Sequence, residues 1–269
     1  MLYILSGEKE QDFPQQAARR LFISQEPLTM ETNTETQLLR PKLILLDVYE
    51  TLLDMSDIQN RVNALLSSRR GYNIWFELFI QYCFADSSTG QFHPFPDIAK
   101  ATLAMAANRM GLHLDEHKQD EVVWLLRHAP LKQNVQEGLS ELNDQGYALA
   151  ALTNAPQSII ADRMEPTGLV SYFEFVLSTE TIKKYKPAQE VYQWALKKAA
   201  IPANEVLLVS AHSWDIMGAA HAGMQTAYVG LDKLFYALAP EPNYRAADLV
   251  DLAAQLNMLY PSIPTTEHF

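Results

Sequence analysis

Asp47 ends an apolar run, Leu43-Ile44-Leu45-Leu46, and Tyr49, Glu50 and Thr51 follow within four residues. An acid at the end of such a run is costly unless its charge is satisfied. A carboxylate there, with a hydroxyl four positions on, is suited to attack a small substrate. Three more polar stations follow downstream: Thr153-Asn154, Lys186-Pro187, and Ser210-Ala211-His212-Ser213-Trp214-Asp215. Singly, the hydroxyls and amides read as helix caps and Lys186 as a solvated surface lysine. Together, and in this order, they read as one composite site.

A site built this way needs several parallel strands ending on one edge of a sheet. The apolar run at 43–46 reads as a buried parallel strand. Further strands are expected over 147–152, 173–177, 206–209 and 226–229, alternating with helices near 133–145, 156–166, 188–200, 214–222 and 246–258. That alternation predicts an α/β fold with a parallel, doubly wound sheet. Between the first two strands the periodicity is helical, near 57–68, 72–85, 95–110 and 116–128, punctuated by Gly71, the Ser87-Ser88-Thr89-Gly90 cluster and Gly111. Four helices in one crossover read as an inserted cap. The expected organisation is a flexible polar extension over 1–40, a core domain over 41–56 and 130–269, and a helical cap over 57–129.

Bulk properties narrow the function classes. With 269 residues, 48% hydrophobic and 20% charged, the chain suits a core domain with a smaller insert. A formal charge of -11 argues against nucleic acid as a partner, since a phosphate backbone needs a basic face. Cys83 is the single cysteine, so an internal disulfide and a cysteine metal cluster are excluded. The sequence contains no apolar stretch of membrane-spanning length, and its first residues do not resemble a signal peptide. The expectation is a cytoplasmic protein with no membrane partner.

The four stations resemble the haloacid dehalogenase superfamily: a nucleophilic Asp with Thr, then Ser/Thr, then Lys, then an acidic loop. The likeness covers roughly residues 41–257 and implies a Rossmann-like core with a cap inserted after the first strand. Phosphatases of that superfamily carry a second Asp two residues after the nucleophile and paired acids in the last loop. Here those positions are Tyr49 and Ala211, so the resemblance implies no magnesium site and no cofactor. Asp47-x-Tyr49-x-Thr51-Leu52 and Ser210-x-x-x-Trp214-Asp215 are instead similar to the L-2-haloacid dehalogenases, as is Lys186-Pro187 followed by Tyr192. That branch implies displacement of halide by Asp47 to form an aspartyl ester, with Lys186 keeping Asp47 ionised. Thr51, Thr153, Asn154, Tyr49, Tyr192, Ser210 and Trp214 are then expected to line or orient the site beside Asp215.

Two departures from the branch carry expectations of their own. Glu50 and His212 stand where Gly and Asn are usual, and a His oriented by a carboxylate makes a good general base near neutral pH. Phe76 aligns with the cap arginine that draws off halide, so an aromatic cradle of Trp75, Phe76 and Trp214 is the expected replacement. Trp75 and Phe76 read equally as cap core. The apolar stripes of the cap helices also read two ways, as a homodimer seam or as intramolecular core. A 2-haloacid dehalogenase is the leading reading. The rivals are a phosphatase of the same fold acting on a small phosphate ester, and a non-catalytic protein that binds a small acid.

Overall fold

Six strands form one wholly parallel sheet in the order β3-β2-β1-β4-β5-β6. This computed structural model describes residues 38–159, 168–230 and 234–261. Most of the expected extension over 1–40, and all but the first turn of the helix expected over 156–166, lie outside these residues. Contacts gather Leu38–Phe269 into one unit.

The strands are β1 (Leu43–Leu46), β2 (Ala148–Thr153), β3 (Phe175–Ser178), β4 (Val206–Ser210), β5 (Gln225–Val229) and β6 (Tyr244–Ala246). β1 lies between β2 and β4, which explains why all four of its residues are apolar and buried: a central parallel strand is covered on both faces. Its alternate side chains feed different cores. Ile44 and Leu46 join the larger cluster with the inserted helices, while Leu43 and Leu45 pack with Val191, Tyr192 and Leu208.

Register decides where the site forms. Leu46 sits opposite Ala151 on one side and Val209 on the other. The residues next past it therefore emerge together: Asp47, then Thr153 and Asn154, then Ser210 to His212. The chain moves from β1 outward to β2 and β3, then returns to β4 on the opposite side of β1. That reversal is where doubly wound sheets leave a crevice.

Four helices occupy the excursion between β1 and β2: α1 (Ser56–Leu65), α2 (Gly71–Thr89), α3 (Phe95–Arg109) and α4 (Glu116–His128). The chain leaves and re-enters at one place. Asp54 N donates to Pro130 O at 2.7 Å and Lys132 N to Leu52 O at 2.9 Å. Inside the helical layer Trp75 stacks on Phe79 at 5.8 Å, and Phe79 meets Phe95 at 4.6 Å. The apolar stripes are largely intramolecular core here, although Tyr82 and Trp124 stay exposed. The other α-helices whose bounds lie among the described residues are α5 (Val135–Asp144), α6 (Gln189–Ala199), α7 (Ser213–His221) and α8 (Leu249–Leu259).

Several boundaries differ from expectation, and one strand was not expected. α2 runs through the Ser87-Ser88-Thr89 cluster instead of stopping before it, and the Thr89 hydroxyl is satisfied within the helix by donating to Ala85 O at 2.8 Å. It ends at Gly90, whose φ of 72° suits a left-handed cap. The expected helix over 246–258 begins later, at Leu249, with Asp248 accepting from Asp251 N as its cap. The residues just before it form β6, a three-residue strand on the sheet edge, too short to show a period of its own.

Candidate active site

Asp47 emerges from β1 only 4% exposed, and both its oxygens are engaged. Lys186 Nζ donates to Oδ1 at 2.7 Å, while Thr51 Oγ1 donates to Oδ2 at 2.7 Å. Ser210 Oγ lies at the outer limit of a hydrogen bond from Oδ2, 3.5 Å away. Thr51 is oriented in turn, since Ala211 N donates to its hydroxyl at 3.0 Å. A single turn of chain thus ties the end of β1 to the end of β4.

Lys186 is fully buried, unlike a surface lysine, and its ammonium is spent on three acceptors. Besides Asp47 these are Asp215 Oδ2 at 2.7 Å and Leu152 O at 3.0 Å. Asp215, in the first turn of α7, also accepts from Tyr192 Oη at 2.6 Å. Asn154 braces the lysine's backbone, its Oδ1 accepting from Lys186 N at 2.8 Å. Thr153 is turned to its own loop, where its hydroxyl accepts from Ala155 N at 3.1 Å.

His212 stands between two carboxylates. Nδ1 is 3.2 Å from Asp47 Oδ2 and Nε2 is 3.0 Å from Glu50 Oε2. Its ring is sandwiched by Trp214 at 4.8 Å and Phe76 at 6.2 Å. Glu50 adopts a φ of 61°, a left-handed conformation that costs a non-glycine residue roughly 1–2 kcal/mol.

The charges are set by these contacts. Burial alone would raise the Asp47 carboxyl, but the Lys186 charge and the His212 hydrogen bond and charge outweigh it, holding it far below the usual carboxylate range. Burial would lower Lys186, yet Asp215 and Asp47 keep its ammonium above its ordinary value. His212 follows the same logic: burial opposes its charge, and hydrogen bonds to Asp47 and Glu50 reverse that, so it is raised. Tyr192 is pushed well up by burial and Asp215, which keeps it a neutral donor.

Asp47, Lys186 and His212 face a small cavity lined on the other side by Tyr49, Phe76, Phe79, Ile80, Phe95 and Leu126. The cavity offers about 20 Å3 to the centre of a water molecule, room for little more than one. An organic acid fits only if side chains lining the cavity yield. Tyr49 is anchored there by its hydroxyl, which donates to Leu126 O at 2.8 Å.

A family model described as haloacid dehalogenase-like hydrolase matches residues 44–229. The chain belongs to that family. The (S)-2-haloacid dehalogenase of Pseudomonas sp. (strain YL) is 28% identical over 214 residues, covering 77% of this chain and 91% of that relative. The (S)-2-haloacid dehalogenase H-109 of Pseudomonas putida is 26% identical over 216 residues, 78% of this chain and 95% of that one. Among solved structures, the L-2-haloacid dehalogenase RSc1362 superposes with a TM-score of 0.75 at 25% identity, covering 81% of this chain and all (100%) of that one.

Many hydrolases built on this fold use magnesium, so the fit of this site to a divalent cation matters. The donors do not fit. Asp47 and Asp215 each spend an oxygen on the Lys186 ammonium, and Tyr49 and Ala211 supply no carboxylate where further ligands would be needed. Among the described residues no group of three or more His, Cys, Asp or Glu is arranged to hold a metal ion.

Two of the expected site residues stand elsewhere. Trp75 is not on the cavity wall: it is fully buried in the helical layer and its indole donates to Ala99 O at 3.0 Å. A large ring with one donor is satisfied by a helix carbonyl behind it, so the adjacent Phe76 takes the cavity side. Tyr192 stands behind the polar cluster, against Asp215, and does not line the cavity. Arg69 and Arg70, just before α2, are exposed.

Sequence reasoning missed Phe79, Phe95 and Leu126, whose helical spacing reads as ordinary core. It also missed Tyr72, and Gly218, where an added Cβ would lie 2.3 Å from the Tyr192 ring. A glycine inside a helix pattern is a weak sign of such close approach.

Proposed function

We propose that this protein is a hydrolytic dehalogenase of short-chain L-2-haloacids, yielding a 2-hydroxy acid and halide. The observation that carries the reading is Asp47, a buried carboxylate held ionised by Lys186 and facing a tight, largely aromatic cavity. An ionised carboxylate stripped of water is a stronger nucleophile than a solvated one. The relatives named above, which act on 2-haloacids by their names, support the same substrate class.

In the first step a carboxylate oxygen of Asp47 attacks the halogen-bearing carbon. The C–O bond forms as the carbon–halogen bond breaks, and the electron pair leaves on the halide. Phe76, Tyr49 and Trp214 offer the positive edges of their rings to that halide in place of an arginine. In the second step water adds to the ester carbonyl carbon of Asp47, and His212 takes its proton. Collapse expels the 2-hydroxy acid, whose oxygen takes that proton back from His212, and the second water proton, left on the Asp47 carboxyl, passes to His212 as the carboxylate returns.

The charge on Asp47 times this sequence. While Asp47 is ionised, it and Glu50 hold the proton on His212. Esterification removes one of those two negative charges, so the imidazole releases its proton to solvent and becomes a base when a base is needed. Residues 57–129 serve as the cap over a core of 41–56 and 130–269, and the paired crossing points at Asp54–Pro130 and Leu52–Lys132 support that division. The proposal includes a homodimer and a cytoplasmic location. No helix among the described residues is long and apolar enough to cross a membrane.

A single turnover of 2-chloropropionate in heavy-oxygen water with chelator present tests the reading. Label is expected in the side chain of Asp47. Label found only in the product, or turnover that needs added magnesium, overturns it and favours the phosphate-ester alternative.

A further inference from the structure

Tyr72 enters the site from the helical layer with no strand-end motif to announce it. It is the second residue of α2 and only 5% exposed. Its hydroxyl donates to Glu50 Oε1 at 2.9 Å, while the other oxygen of Glu50 meets His212 Nε2 at 3.0 Å. We propose that Tyr72 is a positioning residue for ester hydrolysis, aligning Glu50 so that Glu50 in turn aligns His212 toward water. This deepens the dehalogenase reading above and rests on its Glu50–His212 pair.

Three observations support that role. Glu50 occupies a left-handed backbone conformation that a glycine would adopt freely, so its presence needs compensating contacts, and Tyr72 and His212 supply one to each oxygen. Tyr72 is itself immobilised: its ring stacks on Phe76 at 5.4 Å, its amide donates to Asn63 Oδ1 at 2.9 Å, and Phe76 lies against His212. Burial and the nearby Glu50 charge push the phenol well up, so it stays a donor across the working pH range. The groups facing His212 are Asp47 and Glu50 from the loop after β1, Phe76 from α2 and Trp214 from α7.

The donated hydrogen bond has a direction. It draws negative charge away from the Glu50 oxygen that faces His212, weakening that carboxylate's hold on the imidazole proton. Without the hydroxyl, the imidazole is both less well oriented and harder to deprotonate.

The test is Tyr72→Phe, which keeps the ring and removes only the hydroxyl, followed by rapid quench and intact mass with 2-chloropropionate. Ester formation on Asp47 is expected to stay near the wild-type rate, which also reports a folded site. Ester hydrolysis is expected to slow about tenfold, the scale of one hydrogen bond to a charged group, so the adduct accumulates. The rising limb of the hydrolysis pH profile should move to higher pH. Hydrolysis at the wild-type rate, or equal slowing of both steps, overturns the role of Tyr72. His212→Asn separates the two proposals. If that variant traps the adduct while Tyr72→Phe does not, only the positioning role fails. If His212→Asn hydrolyses the ester normally, or no adduct forms on any variant, the pair fails and the role of Tyr72 with it.

Discussion

Replacing Lys186 by Met removes the one cation that two buried carboxylates share while keeping most of the stem's volume. The ammonium donates to Asp47, Asp215 and Leu152 O, at 2.7, 2.7 and 3.0 Å, and is fully buried. Removing one partner of a buried pair leaves an uncompensated charge and costs about 3–5 kcal/mol. Two buried carboxylates lose the cation at once, so the loss belongs at the upper end, about 4–5 kcal/mol near pH 7, even though Asp47 retains Thr51 and His212 and Asp215 retains Tyr192. In the wild type, Asp47 lies below its ordinary value. Its contribution is complete above the unfolded value near pH 4 and lost as pH falls through the folded one. In Lys186→Met the burial effect remains and the cation is gone, so the buried Asp47 gains stability by taking up a proton. The gap between wild type and variant should therefore be widest near neutrality and narrow toward pH 5. Urea unfolding of both proteins from pH 5 to pH 8 measures it. A loss below about 1 kcal/mol at pH 7, the scale of a surface pair, or a gap independent of pH, would refute the reasoning.

Other perturbations test separate parts of the site. Asp47→Asn imitates the uncharged ester, so His212 should titrate lower in that variant than in the wild type, read by imidazole NMR; an unchanged or higher value would remove the charge-timing idea. In the wild type, the raised His212 contributes stability that is present below about pH 6.5 and lost as pH rises through its folded value, and His212→Asn should lack that alkaline decline. Gly218→Ala places a methyl within 2.5 Å of the Tyr192 hydroxyl. It should cost about 1–3 kcal/mol by overpacking, seen as a lower urea midpoint, and an unchanged midpoint would mean the tyrosine shifts freely. Phe76→Ala should enlarge the cavity and improve relative turnover of longer 2-haloacids, measured by halide release across a chain-length panel; an unchanged order would place the size limit elsewhere.

Much of the site could be read locally because three of the four stations abut an apolar run, whereas Lys186 follows Lys183-Lys184-Tyr185. Asp47, Thr153, Asn154, Ser210 and Asp215 lie at strand ends or in the first turn of a helix, where a polar residue next to buried chain is conspicuous. The Glu50–His212 pair was readable as two departures at one mouth, and in the structure they are 3.0 Å apart. The inserted helices were harder. Trp75 and Phe76 are neighbours in one apolar helix, and periodicity does not say which of the two meets the cavity when the helix is covered on most sides. β6 was missed because three residues on a sheet edge take their conformation from pairing with β5.

Short-range pattern and residue type suffice for the parallel sheet, the candidate nucleophile Asp47 and the chemical character of the stations. The folded arrangement is needed to see that Lys186 is buried between two carboxylates, that Tyr72 reaches Glu50, and that Gly218 makes room for Tyr192. Those contacts join residues 22 to 139 positions apart. They depend on how layers pack and on strand register, and no local spacing carries that information.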